Sequence, residues 1–145
     1  MALHLIKLCV GCDSVKDLKD WIRERLQEKK RRGQKPEHIH TTRMMPKRAA
    51  ELIGQGSLYW VIRGEVLCRE RIVEVRPIVD KNDIARCQLV LDGKVVLTEP
   101  RPYRAFQGWR YLAAKDAPRD LDRAAPGARG MPEAMRRELR GLGLL

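Results

Sequence analysis

Two cysteines separated by two residues, Cys9 and Cys12, have the first spacing in this chain that could support chemistry. They follow an apolar stretch and precede a helical pattern, and a helix N-terminus stabilises a nearby thiolate. Redox chemistry would use such a pair, and zinc binding would also recruit Cys68 and Cys87. However, thioredoxin-like folds need a parallel βαβ core, and the chain has no second cysteine pair of this spacing. We therefore expect the cysteines to pack as small apolar side chains, and we predict no metal or cofactor.

Two histidines, His38 and His40, share one face of a predicted strand because strand side chains alternate. Metal sites use this spacing, since both imidazoles reach one ion, but no third ligand stands at an obvious spacing. We interpret the pair as the polar face of a half-exposed strand. An enzyme that uses either imidazole as an acid or base on a nucleotide or phosphorylated substrate is the alternative.

Three cations, Arg43, Lys47 and Arg48, surround Pro46. Proline is favoured in the first turn of a helix, and the free N–H groups at a helix start attract anions. Three cations at that end oppose the helix dipole, which is a small cost where an anion binds. The segment therefore predicts a phosphate-binding site.

Four of the seven aromatic residues fall between residues 99 and 111, interleaved with arginines. The segment contains Arg101, Tyr103, Arg104, Phe106, Trp109, Arg110 and Tyr111. Aromatic faces stack on unpaired bases, and guanidinium groups pair with phosphate. Core packing of a closing strand is the other interpretation. We expect at least one of Tyr103 and Trp109 to be exposed.

The composition favours a basic protein with one core. The chain has 145 residues, 43% hydrophobic and 34% charged, with a net charge of +11. The electric field of such a positive charge attracts polyanions, but it does not select their sequence. No apolar run is long enough to span a bilayer, and the N-terminus lacks a signal-peptide pattern, so we expect a cytoplasmic protein with no membrane partner. The motifs of P-loop, dinucleotide-binding, serine-hydrolase and zinc-protease sites are absent, so no catalytic residue is predicted.

The elements that position these residues follow from the apolar spacing. An apolar strand at 3–10 precedes an amphipathic helix capped by Ser14 and ended by Gly33. A strand at 37–43, a short helix at 46–53 and strands at 58–62, 65–75, 84–91, 94–98 and 106–112 follow, with a hairpin predicted at Asp92-Gly93. The predicted fold class is α+β: a small, mostly antiparallel β-barrel with an N-terminal amphipathic helix and a second short helix. Residues 1–112 form the domain, and residues 113–145 form an irregular basic tail with a possible short helix at 132–140.

Four segments, LHLIKLCVGCDSV, TTRMMPKRAAEL, GSLYWVIRGEVLCRERI and TEPRPYRAFQGWRYL, resemble a bacterial family of short proteins known as domain of unknown function number 1489. The resemblance covers about residues 1–120, with the tail outside it, and implies no activity. The basic helix leading into LYWVIRGEVLCRERIVEV also resembles the entry of PUA-like barrels of the ASCH and EVE groups, although the GxKxxExR pattern of ASCH domains is absent. That likeness implies binding of RNA or a modified base in a cleft flanked by Arg43, Lys47, Arg48, Trp60, Arg63 and Arg104.

These observations together predict a non-catalytic nucleic-acid-binding module, with RNA as the favoured partner. The expected site is one basic and aromatic cleft made of Arg43, Lys47, Arg48, Arg63, Arg101, Tyr103, Arg104, Trp109 and Arg110. Two alternative functions are retained: an adaptor for an acidic protein partner, and the enzyme described above.

Overall fold

A computed structural model describes residues 3–104 and 106–121 of the chain. The described strands are β1 (Leu3–Leu8), β2 (His38–Thr42), β3 (Ser57–Ile62), β4 (Glu65–Val79), β5 (Ala85–Leu91), β6 (Val96–Pro102) and β7 (Trp109–Ala113). The described helices are α1 (Val15–Arg31) and α2 (Ala49–Leu52), followed by a 3-10 turn at Ala114–Asp116.

Helix α1 forms where the apolar spacing predicts it. The Ser14 hydroxyl accepts a hydrogen bond from the Asp17 N–H at 3.1 Å, which caps the first turn. Val15, Leu18 and Ile22 are buried against the sheet, and cations fill the last turn. Within the described ranges, no helix has the length and apolar character needed to cross a membrane.

The strands form one seven-stranded sheet with the order β2-β5-β4-β3-β1-β7, and β6 pairs with β4 beside this path. β1 and β3 are parallel, and the other pairs are antiparallel. The predicted mixture of helices with a mostly antiparallel sheet is confirmed. The predicted barrel and its PUA-like build are not, because β2 and β7 end the strand order and the sheet stays open.

The hairpin predicted at Asp92-Gly93 is wrong. Strands β5 and β6 both run antiparallel to β4, with Leu91 opposite Ile72 and Val96 opposite Arg69, so the chain does not reverse between them. The reversal lies at residues 80–84, where the Asp80 carboxylate accepts hydrogen bonds from two backbone N–H groups of the turn. The second helix is also shorter than predicted, starting at Ala49 instead of Pro46.

Two apolar clusters cover the two faces of the sheet. The larger cluster contains Leu5, Leu58 and Trp60 and packs under α1 and α2, so we call this side the helix face. The smaller cluster contains Ile6 and Tyr59, with Tyr103 and Phe106 packed against it, and we call this side the far face. All six residues of β3 are buried, as expected for a strand covered on both sides.

The structure continues past the predicted domain boundary at residue 112. Strand β7 extends to Ala113, and the Asp120 carboxylate forms two hydrogen bonds of 2.7 Å with the Arg69 guanidinium. The Leu121 N–H donates to the Leu97 carbonyl at 2.9 Å. Residues 113–121 therefore lie against the body of the protein, while the helix predicted at 132–140 falls outside the described residues.

Candidate functional site

The segment between β2 and α2 is held against β7 by two hydrogen bonds. The Trp109 indole N–H donates to the Met44 carbonyl at 2.9 Å, and the Arg48 backbone N–H donates to the Tyr111 hydroxyl at 3.0 Å. The rings of Trp109 and Tyr111 meet edge to face, with centroids 5.0 Å apart. Two aromatic rings thus lie beside the three cations at residues 43–48, and we call this group the basic–aromatic surface: Arg43, Lys47, Arg48, Trp109 and Tyr111.

The three cations of this surface differ in their partners. Arg48 forms an ion pair with Glu51, and its guanidinium lies 5.8 Å from the centroid of the Tyr111 ring. Arg43 and Lys47 are exposed and make no ion pair with any residue that the structure describes. Since no described residue neutralises these two charges, we expect them to be available to an anion.

A phosphate site built on a helix start, as the sequence predicts, has little support at this position. Helix α2 is a single turn, and the N–H of Arg48 at its N-cap is already bonded to Tyr111. The cationic side chains themselves are therefore what this segment offers to an anion.

Tyr103 and Arg110 of the predicted cleft lie on the far face. Alternation along β7 sends Arg110 to the side opposite Trp109, and its guanidinium lies 4.6 Å from the centroid of the Phe106 ring. Phe106 in turn meets the half-buried Tyr103 edge to face, at 5.3 Å. Arg104 is exposed after Tyr103.

Arg63 lies in the turn before β4, and Arg101 lies in β6, the strand that pairs with β4. Arg63 occupies the β3–β4 turn with φ 51°, 3.6 Å from the Asp13 carboxylate, and the Gly64 carbonyl beside it accepts the Tyr103 N–H. Arg101 donates to the Asp116 carbonyl. The nine predicted residues therefore do not line one cleft. The expectation that Tyr103 or Trp109 is exposed is not met, because both are half-buried.

A cavity of about 430 Å³ lies on the helix face between α1 and the sheet. It is lined by Lys7, Leu8, Cys9, Val10, Gly11, Cys12, Asp17, Asp20, Trp21, Glu24, His40 and Trp60. Lys7 pairs with Trp109 across β1 and β7, so the cavity adjoins the basic–aromatic surface. The sequence patterns did not predict this cavity, because α1 and the sheet residues that enclose it are distant in the chain.

His40, one of the residues that line the cavity, has a ring nitrogen without a hydrogen bond to any described residue. Its Nε2 is buried with no hydrogen-bond partner among the described residues, and its ring meets that of Trp60 edge to face at 5.4 Å. Burial, with a smaller contribution from the Lys7 charge, lowers the pKa of His40 to about 4. The imidazole is therefore neutral at pH 7.

His38 belongs to a buried polar network behind the cavity wall. Its Nδ1 lies 2.8 Å from the Glu70 carboxylate, whose second oxygen accepts a hydrogen bond from the Trp60 indole at 3.0 Å. The side chains of His38 and Glu70 are fully buried. The interpretation of the two histidines as the polar face of a half-exposed strand is wrong for His38, which is fully buried, whereas His40 is half-buried and lines the cavity. Sequence reasoning also missed Glu70, which stands between Arg69 and Arg71; its one signal is that strand alternation puts it on the same face as the apolar Cys68 and Ile72.

The four cysteines, all within the described residues, form no disulfide with one another, and Cys9, Cys68 and Cys87 are buried. Cys9 belongs to the apolar cluster of the helix face and Cys12 packs against it, as expected, and both also line the cavity. No group of three or more metal-binding side chains is assembled within residues 3–104 and 106–121.

A family model described as "Protein of unknown function (DUF1489)" matches residues 5–145 of the chain. The match extends through the tail, which the sequence resemblance had left out. No curated protein and no solved structure matches the chain.

Proposed function

Because this chain belongs to the DUF1489 family, whose function is unknown, we propose a function from its geometry: it binds single-stranded RNA through the basic–aromatic surface. The observation that carries the proposal is the attachment of residues 43–48 to β7. Those two hydrogen bonds place exposed cations beside aromatic rings, which is the combination that single-stranded nucleic acid requires.

The charges and rings of this surface have separate roles in the proposal. Arg43 and Lys47 contact phosphates, because neither is neutralised by a described residue. Tyr111, which is 36% exposed, offers a ring for stacking with an unpaired base. The PUA-like resemblance and a cytoplasmic location fit the same ligand, and both remain parts of the proposal.

The test is fluorescence anisotropy with a labelled single-stranded RNA, measured over a range of salt concentrations. We expect Arg43→Ala/Lys47→Ala to weaken binding about tenfold or more at low salt. Since each phosphate contact contributes about 0.7 to the slope of log affinity against log salt, the slope should fall by about 1.4.

The matched control is Lys30→Ala/Arg31→Ala, which removes the same charge from two exposed cations near the end of α1. We expect this control to retain most of the affinity. Equal losses in the two double variants would refute a localised site and leave only diffuse attraction, which an acidic protein partner would also experience. Undetectable binding by the wild type at low salt would end the proposal.

An enzyme acting on a nucleotide is the second candidate, and the cavity favours it. The neutral imidazole of His40 faces carboxylates from α1 across a space that fits a small ligand. His38 does not share this role, because it is not among the cavity residues and is paired with Glu70. Calorimetric titration with nucleosides and nucleotides checks this candidate: heat that disappears in His40→Gln supports it, and no heat with the wild type excludes it.

A further inference from the structure

Cys9 and Cys12 stand at the two ends of one tight turn. Cys9 directly follows β1, and its N–H donates to the Val61 carbonyl at 2.9 Å. Residues 10–11 form the turn. Gly11 has φ +87°, a conformation that a glycine adopts without strain. The outer Cα atoms of such a turn lie within about 7 Å, and a disulfide spans about 4.4–6.8 Å between Cα atoms. The backbone therefore already holds the two thiols near bonding distance.

The two thiols are also in contact with each other and with the cavity. A hydrogen bond links the side chains of Cys9 and Cys12, and both residues line the cavity wall. Cys9 is only 8% exposed, whereas Cys12 is half-buried. Because a solution reagent reaches the more exposed sulfur first, Cys12 is the entry thiol and Cys9 the second partner.

We propose that Cys9 and Cys12 form a reversible dithiol–disulfide pair, oxidised by a low-molecular-weight disulfide such as glutathione disulfide that enters the cavity. The proposal is independent of RNA binding. Cys68 and Cys87 take no part, because they are buried within β4 and β5 and do not line the cavity.

The exchange balances without any metal or other cofactor. The Cys12 thiolate attacks one sulfur of glutathione disulfide, which forms a mixed disulfide on Cys12 and expels one glutathione thiolate. Cys9 then loses its proton and attacks the Cys12 sulfur, which forms the Cys9–Cys12 bond and expels the second glutathione thiolate. Two protons pass from the cysteines to the two glutathiones, and two electrons pass from the dithiol to the reagent.

The surroundings of Cys9 make its deprotonation unfavourable, so we expect the second exchange step to be the slower one. Burial first, and then the hydrogen bond to Cys12, raises the pKa of the Cys9 thiol well above its usual range. Lys7 lies close enough to interact electrostatically with Cys9, and burial lowers the pKa of its ammonium group. Because the second step needs the Cys9 thiolate, it should accelerate as the pH rises.

The test is intact-mass spectrometry of the folded protein after incubation with glutathione disulfide and an acid quench. We expect the wild type to lose two hydrogen atoms, and we expect excess reduced glutathione to reverse the change. Trypsin cuts after Lys7 and Lys16, so the disulfide should appear within the single peptide of residues 8–16. A wild-type protein that stays fully reduced, or that carries its disulfide in another peptide, would overturn the proposal.

Single-cysteine variants separate the two thiols. Cys9→Ser should retain a glutathionyl group on Cys12, because no second thiol is present to displace it. Cys12→Ser should acquire neither a glutathionyl group nor a disulfide, since Cys9 is buried. Cys68→Ser/Cys87→Ser is the matched control and should oxidise like the wild type. Similar modification of Cys9→Ser and Cys12→Ser would contradict the assigned order, and the wild-type peptide result decides the proposal if a variant fails to fold.

Discussion

At the scale of single residues, the buried polar side chains beside the cavity are the most informative feature of the protein. Glu70 satisfies both the Trp60 indole and the His38 Nδ1 from a position without solvent access. A buried carboxylate of this kind is costly unless its hydrogen bonds are made. The network therefore fixes the Trp60 ring, against which the His40 imidazole packs in the cavity wall.

His40 should make the stability of the protein depend on pH. Its pKa is about 4 in the folded state against 6.5 for an ordinary histidine, so between these values the unfolded chain binds more protons. Stability contributed by the neutral imidazole is therefore fully present above pH 6.5 and is lost as the pH falls toward 4. The loss should amount to about 3 kcal/mol at most.

Urea unfolding of the wild type and His40→Gln between pH 7 and pH 4 measures this contribution. The difference in the free energy of unfolding between the two proteins should change across the interval, with the wild type losing more on acidification. His4, whose pKa is also lowered by burial, is present in both proteins and cancels from the comparison. Parallel stability curves for the two proteins would show that His40 is not buried as described.

At the scale of secondary-structure elements, local signals predicted most elements but not how they pair. The Ser14 cap and the apolar stripe of α1 depend on neighbours within the helix, so the sequence identified them correctly. The Asp92-Gly93 signal failed because β4, with 15 residues, is long enough for both β5 and β6 to pair along it. A turn-forming dipeptide does not show whether the next strand folds back beside the previous one or continues in the same direction along their shared partner strand.

Gly56 provides a test of how closely the exit of α2 approaches β1. A Cβ atom at this position would lie 2.3 Å from the Leu3 carbonyl oxygen and 2.5 Å from the Leu52 carbonyl oxygen, both of which are backbone atoms. The backbone would have to shift, so Gly56→Ala should destabilise the protein by about 2–3 kcal/mol. Thermal unfolding followed by circular dichroism measures the effect.

The control for this substitution is Gly33→Ala at the end of α1. Gly33 has φ +70° with open space around it, so the added methyl group meets only backbone strain, at a cost of about 1 kcal/mol. A Gly56→Ala protein as stable as Gly33→Ala would mean that β1 and the end of α2 are not in close contact.

At the scale of the whole molecule, the structure places Trp109 and Arg110 of the predicted cleft on opposite faces of the sheet, and the role of these residues in RNA binding stays a prediction. Alternation along β7 already implies that Trp109 and Arg110 point to opposite sides, so one cleft could not include both. The attachment of Met44 and Arg48 to β7 joins positions more than 60 residues apart, which no local pattern reveals. The cavity and the burial of Glu70 were not predicted for the same reason: both depend on contacts between residues that are distant in the chain.

The two faces of the sheet give the proposed RNA site its sharpest test, because each has a tyrosine near arginines. Tyr111 belongs to the basic–aromatic surface and Tyr103 to the far face. If a base stacks on Tyr111, Tyr111→Leu should weaken single-stranded RNA binding by about 1–3 kcal/mol without changing the salt slope, since stacking releases no counterions. Tyr111→Phe keeps the ring but loses the hydroxyl that accepts from the Arg48 N–H, one of the two hydrogen bonds of the attachment, so its affinity should lie between those of the wild type and Tyr111→Leu. Tyr103→Leu should have little effect, and a larger loss in that variant than in Tyr111→Leu would move the binding site to the far face.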